Sequence, residues 1–449
     1  MSVESATHKI THESANMTTL LTDQYDIQSF LDELNIYSTH EHLRYEHEAI
    51  NRVVTERESV LSLFGTNYPV TDFRSVGATE EEVLSLRSNA GRYDERHNLL
   101  LKYAKRCRNT TQFKALHRAL ADLYEGDVLD CNSAKEMDAR RREQHDTGVY
   151  HSVLVEKAGI QLMCRDCGPH FKEEKYFRTA VRMEEWFGIC SWNDVQRLSA
   201  ATAVPISNFD QLILAFRREA ERMIDNGAVA FKNAWIYRRD PSWRLRSKAE
   251  AESCFQKAQS TMNAEWVVSG DCWRADLFPL QDFLLGELCD LAAEKKVPLQ
   301  VHTGIPEGNV LPLEWGKPTK FTDLVRSFPK LDIHLLHVGH PYEQEAISMA
   351  KLHPNVTLDC SWFHQLNAHA AQFFTNWMLD EVPVWKILGF GGDYGHMEGV
   401  YGHWLQARQN LTIAMTNRIG SGQCSKQEAY STLSEILYEN PKRTLYRRS

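Results

Sequence analysis

Short apolar runs ending in polar residues recur along this chain, and most follow a segment whose apolar residues fall at helical spacing. That alternation predicts parallel strands joined by crossover helices. The runs are residues 34–42 (LNIYSTHEH), 159–166 (GIQLMCRD), 178–187 (RTAVRMEEWF), 228–237 (AVAFKNAWIY), 297–304 (VPLQVHTG), 331–340 (LDIHLLHVGH), 355–362 (NVTLDCSW) and 386–396 (KILGFGGDYGH). Eight runs in order is the count a (β/α)8 TIM barrel, an α/β fold, requires. Between the first and second runs, about residues 43–145, the pattern turns helical, charged and strand-poor, as in ERHNLLLKYAKRCR and TQFKALHRALADLY. This predicts a helical insertion after strand one. Residues 238–275 read as irregular and charged. Residues 1–22 are polar and lack the apolar stretch of a signal peptide, so a disordered leader is expected there, with one barrel over 23–449.

Composition narrows the function without choosing it. The chain has 449 residues, 43% hydrophobic and 25% charged, as ordinary globular proteins do. A net charge of −9 argues against a general nucleic-acid binder, which needs basic surface to meet phosphates. No apolar run is long enough to predict a transmembrane helix. The ten cysteines are scattered, which suits a reducing compartment, and a cytoplasmic location is expected. Cys164 and Cys167 have redox or zinc spacing, but no second pair accompanies them and the segment reads as a strand end. Self-association is left open.

Barrels of this kind carry their sites at the C-terminal ends of the strands. Ligand-type residues fall there: His40 and His42 at strand one, Lys232 late in strand four, His302 at strand five, His337 at strand six and Asp393 at strand eight. Residues i and i+2 of a strand share a face, so two imidazoles of a His-x-His pair can converge on one ion. With 19 histidines in 449 residues, roughly 0.8 such pairs arise by chance, so the weight rests on the coincidence at four strand ends. Imidazole and carboxylate ligands suit Zn2+, with Mn2+ or Fe2+ as alternatives. Asp393 is expected to ligate, orient or deprotonate water activated by the ion. Arg165, Arg182 and Arg238 lie near the ends of strands two, three and four, where a guanidinium can hold a substrate carboxylate through two bonds. His47, His340, His364 and His396 receive no assignment.

The order THEHL, PLQVHTG, HLLHVGHPYEQEA, NVTLDCSW and ILGFGGD resembles the amidohydrolase superfamily. The resemblance covers strand one and most of residues 150–400. Its nearest look is to the amidohydrolase-2 branch, with glutamine-synthetase-associated amidohydrolases and their uronate-isomerase relatives. It implies a metal held by His40, His42 and Asp393, with His302 as a further ligand and His337 binding metal or polarising the substrate. In binuclear members a carboxylated strand-four lysine bridges two metals, a position Lys232 matches; one ion is expected here, and two stay open. Three functions follow. The first is metal-dependent hydrolysis of a small carboxylate-bearing molecule. The second is isomerisation or decarboxylation of a sugar or aromatic acid. The third is a non-catalytic barrel.

Overall fold

The computed structural model describes residues 21–66, 68–168, 171, 175–261, 275–308 and 311–446. Residues 1–20 of the expected leader lie outside that set, while Leu21 and Thr22 already belong to a helix running to residue 33. Eight strands follow in chain order: β1 (Ile36–Glu41), β2 (Ile160–Cys167), β3 (Phe177–Arg182), β4 (Ala228–Asn233), β5 (Leu299–His302), β6 (Ile333–Leu336), β7 (Val356–Ser361) and β8 (Ile387–Gly391). They form one sheet in sequence order, and the neighbours pair in parallel. Bonds that close β8 onto β1 include Thr39 Oγ1 to Phe390 O at 3.0 Å, Asp393 N to His40 O at 2.9 Å and His42 N to Tyr394 O at 3.1 Å. The fold is a (β/α)8 barrel, and every residue of β5 and β6 is buried, as strands covered on both faces require.

Several strands end earlier than the apolar runs suggest. The third run was expected to continue to residue 187, but β3 stops at Arg182 and Glu184–Phe187 is helical. The fourth was expected to reach 237; β4 ends at Asn233, whose side-chain oxygen accepts the Trp235 N–H at 2.9 Å and turns the chain. β6 and β8 end where His337 (φ 65°) and Asp393 (φ 61°) take left-handed backbone. Hydrophobicity continues past these points because the loops are buried too. The stretch read as irregular from 238 contains a helix, Lys248–Gln259, whose N-terminus is closed by a reciprocal Ser247–Glu250 capping box. Residues 262–274 of that stretch lie outside the described set.

The insertion is helical as expected, and it extends from Glu46 to Lys157 between β1 and β2. Its helix Thr111–Tyr124 packs on Met397–Gly420, the helix after β8. Gly402 permits the close approach, since a Cβ there would sit 2.5 Å from the Ala115 carbonyl oxygen. Across that junction Arg141 Nε donates to Glu398 at 2.6 Å, and the Tyr124 hydroxyl donates to it at 2.8 Å. Inside the barrel, Cys164, Ala180 and Ala230 leave room for Leu445 and Tyr446 of the C-terminal segment, with the Tyr446 hydroxyl bonded to Ser38 O at 2.6 Å. Cys164 and Cys167 stand three apart on a strand and so face opposite ways, and both are free thiols.

Candidate metal centre

The side chains that end β1, β2, β4 and β8 meet at one mouth of the barrel. His40 Nε2 lies 3.2 Å from Asp393 Oδ1, and His42 Nε2 lies 3.1 Å from the same oxygen. Lys232 Nζ is 3.4 Å from His40 Nε2 and 3.8 Å from Asp166 Oδ2. Asp166 Oδ2 is also 3.9 Å from His40 Nε2. The ligand atoms of His40, His42 and Asp166 all fall within 4.8 Å of one another. Asp393 carries the group toward β6, its Oδ2 standing 3.8 Å from His337 Nδ1. His40, Lys232 and His337 are buried, whereas the His42 side chain is 32% exposed and opens the group to solvent.

The tautomers of the β5 and β6 histidines follow from their carbonyl partners. His337 Nδ1 donates to Ser361 O at 2.8 Å, and His302 Nε2 donates to Ile305 O at 3.3 Å. The remaining nitrogens, His337 Nε2 and His302 Nδ1, face each other at 3.2 Å. Burial above all keeps both rings neutral, holding His337 down to about 3 and His302 well below the ordinary histidine value. With these tautomers two lone pairs point at each other, an arrangement that a shared cation or proton would relieve. Two imidazole nitrogens bound to one tetrahedral zinc at about 2.0–2.1 Å stand about 3.3 Å apart. His40 is held down to about 4 by burial and the Lys232 charge, and its Nδ1 is buried without a partner among the described residues. Neutral imidazoles and ionised carboxylates are the donor set that a first-row divalent ion takes, so the residues present fit such a metal.

Charge balance around the group comes from β2 and β3. Burial opposes ionisation of Asp166, but Arg182 and Lys232 hold its carboxyl far below the usual range. Arg182 grips Asp166 through two bonds, Nε at 2.7 Å and Nη2 at 2.8 Å, while keeping 39% of its side chain exposed. Asp393 is likewise ionised, since His40 and His42 outweigh its burial. Glu41 fastens the Asp393 loop, accepting from Gly392 N at 2.9 Å and Tyr394 N at 3.3 Å, and burial pushes its carboxyl up to about 8. His337, Trp362 and Asp393 all have positive φ, backbone strain of the kind that gathers at functional sites.

The structure sorts the three arginines singled out in the sequence. Arg182 belongs to the group. Arg238 is half-buried just past β4, with Glu184 and Arg182 as its charged neighbours. Arg165 is not brought there: strand alternation sends Asp166 inward and Arg165 outward, its guanidinium 3.8 Å from the Tyr45 ring and 4.9 Å from the Phe177 ring. The unassigned histidines also stand apart from the group. His364 bonds Gly389 O, His396 caps the helix Met397–Gly420, His340 pairs with Glu343, and His47 stacks on Tyr45.

Sequence reasoning misses Asp166, although CRDC places it one residue from Arg165; burial parity decides between them. It also misses Tyr68 of the insertion. That ring stacks on Trp362 at 4.0 Å, and its hydroxyl lies beside Asp393. No local motif marks a tyrosine that arrives from a separate helical segment.

Comparison with known proteins agrees with this fold. The amidohydrolase family model matches residues 267–446, the part carrying β5 to β8. Among curated proteins, protein fluG of Emericella nidulans is 25% identical over 368 residues, covering 75% of this chain; the chain spans only 41% of that relative's length. Among solved structures, the uronate isomerase of Thermotoga maritima superposes with TM-score 0.74 at 15% identity, covering 94% of this chain and 97% of its own. The glucuronate isomerase of Caulobacter crescentus gives TM-score 0.73 at 15% identity, covering 96% and 95%. A Lactobacillus casei protein ascribed to the metal-dependent hydrolases gives 0.64 at 16% identity, covering 94% and 97%. At these identities the solved structures speak for the fold alone. The family match over residues 267–446 and the similarity to protein fluG agree with the strand-end residues in likening this chain to the amidohydrolase superfamily.

Proposed function

We propose that this protein is a hydrolase that uses one divalent ion, zinc by preference, to cleave a C–N or C–O bond in a small carboxylate-bearing molecule. The observation that carries the reading is the convergence of bare histidine nitrogens and ionised carboxylates on one mouth, with His302 and His337 facing at 3.2 Å. His40, His42, Asp393 and His302 would hold the ion, with His337 completing the set or polarising the substrate; Asp166 and Lys232 border them. A bound ion of this kind supplies Lewis acidity, polarising a carbonyl and lowering the pKa of water.

The chain's own residues do the rest. Asp393 takes the proton of the attacking water at a carboxylate oxygen and returns it to the leaving nitrogen or oxygen. Tyr68 stands beside that carboxylate and can steady it by donating its hydroxyl proton. Arg182, already oriented by Asp166, and Arg238 bind the substrate carboxylate at the rim. Trp362 and Tyr68 wall the mouth and exclude bulk water.

The structural likeness to uronate isomerases over nearly the whole chain favours a second reading, proton transfer between adjacent carbons of a sugar acid. The same ion and Asp393 would serve it without net hydrolysis. Elemental analysis of the purified protein and of His40→Ala tests the site shared by both readings. About one ion per chain, lost in the variant, supports it; about two moves Lys232 to a bridging carbamate. Absence of metal after reconstitution removes both readings and leaves a non-catalytic barrel. Turnover of amides, esters or lactones then separates hydrolysis from solvent-deuterium exchange at C2 of uronates.

A further inference from the structure

A cationic cavity lies within the helical insertion, away from the metal centre. It has a volume of about 290 Å3 and is lined by Arg57, Ser59, Tyr93, Arg96, Asp138 and Arg142 among others. Arg96 is 4% exposed, and among the described residues no carboxylate pairs with it. Its Nε donates to Ser85 O at 3.1 Å, and its Nη2 donates to Ser59 Oγ, Ser62 Oγ and Leu86 O. Nη1 takes part in none of these bonds and is left for the cavity. A buried guanidinium bonded to no carboxylate is costly to keep, and Asp138 acts on Arg96 only through its field, which leaves room for a further anion beside it.

The charges around the cavity do not supply that anion. Asp138 is the acidic residue in the lining, and it is already engaged, accepting the Val60 N–H at 2.7 Å with the Tyr93 hydroxyl beside it. Lys135, also in the lining, is matched by Asp94 at 2.6 Å. Arg57 and Arg142 make no ion pair among the described residues. The neighbouring carboxylate, Glu58, turns away to Arg52 at 2.8 Å and Arg141 at 3.4 Å. Three guanidinium groups therefore border the cavity against one carboxylate. The Tyr93 hydroxyl lies at the cavity beside Asp138, and Ser59 adds another hydroxyl. Fork-shaped donors and hydroxyls around a pocket of this size suit a tetrahedral oxyanion that accepts several bonds at once.

We propose that this cavity binds a phosphate group, either inorganic phosphate or a phosphomonoester, through Arg57, Arg96 and Arg142. The ligand would bridge the loop at residues 57–59 and the helices Tyr93–Cys107 and Cys131–Gln144. The second of these helices reaches the Met397–Gly420 helix through Arg141 and Glu398, so occupancy stiffens the insertion from outside the mouth.

The test is calorimetric titration of the full chain at low ionic strength with inorganic phosphate and, separately, glycerol 3-phosphate. Saturable one-site binding is expected, weakened about tenfold or more in the double variant Arg57→Ala/Arg142→Ala. Both side chains reach the surface, and circular dichroism checks that the variant folds. Tighter binding of phosphate identifies the free anion as the ligand, and tighter binding of the ester identifies a phosphomonoester. His40→Ala separates this pocket from the metal centre and should leave the affinity within about twofold. The proposal is overturned if neither ligand saturates, if the double variant binds like wild type, or if binding vanishes in His40→Ala.

Discussion

Replacing Arg141 with methionine tests how the insertion is fastened to the barrel. Its Nε donates to Glu398 at 2.6 Å, Nη1 to the Glu58 carbonyl at 2.7 Å and Nη2 to the Glu58 carboxylate at 3.4 Å. Arg141 and Glu398 are each 1% exposed. Methionine preserves most of the aliphatic stem but leaves Glu398 with the Tyr124 hydroxyl at 2.8 Å and His396 at 3.4 Å. Removing one partner of a buried pair costs about 3–5 kcal/mol. Unfolding entropy of about 2.1 cal/mol/K per residue gives about 0.9 kcal/mol/K for this chain, so Tm should fall by about 3–5 °C.

A pH signature distinguishes lost charge from lost packing. Burial raises the Glu398 pKa, but in the native protein Arg141 and the nearby histidines hold it well below 4.5. The stability this confers is present above pH 4.5 and lost as pH falls through the lower folded value. In the variant, burial is no longer opposed by Arg141, and the folded pKa rises above the unfolded one. The damage is then full at pH 8 and shrinks by up to about 1.4 kcal/mol per pH unit as Glu398 takes a proton. Thermal melts and urea titrations at pH 8 and pH 5.5 measure it. A Tm change under about 1 °C at pH 8, or an equal loss at both pH values, would refute the reasoning.

Other consequences follow from the same structure. Burial depresses His364 to about 4 and His403 to about 3, so the unfolded chain takes up protons first as pH drops below 6.5. Stability should fall by on the order of 2 kcal/mol per histidine between pH 6.5 and 5, and a flat urea midpoint across that window would contradict it. Gly402→Ala forces a Cβ to within 2.5 Å of the Ala115 carbonyl and should cost about 1–3 kcal/mol. Gly286→Ala meets nothing closer than 3.6 Å in a helix interior and should be neutral or stabilising by up to about 1 kcal/mol. If the proposed centre binds zinc, readdition after chelation at about 100 times Kd should return about 2.7 kcal/mol, seen as a Tm gain of about 3 °C; an unchanged melt argues that the strand-end histidines bind none.

The sequence alone determined the barrel and most of its strand order. Both rest on local periodicity, and a strand's two-residue repeat or a helix's apolar stripe is written within a few neighbouring positions. It also put His40, His42, Lys232, His302, His337 and Asp393 at strand ends, because a strand end is a local feature. Tertiary structure alone decided which side chains meet. Whether Arg165 or Asp166 faces inward depends on how β2 is paired and twisted between β1 and β3, and no window of sequence around CRDC contains that information. The Tyr68 contact with Trp362 and the Arg141–Glu398 tie join residues hundreds of positions apart, through closure of the barrel and docking of the insertion. The lone pairs of His302 and His337 face each other only because Ile305 and Ser361 carbonyls fix the two tautomers, a constraint that exists once β5, β6 and β7 lie side by side.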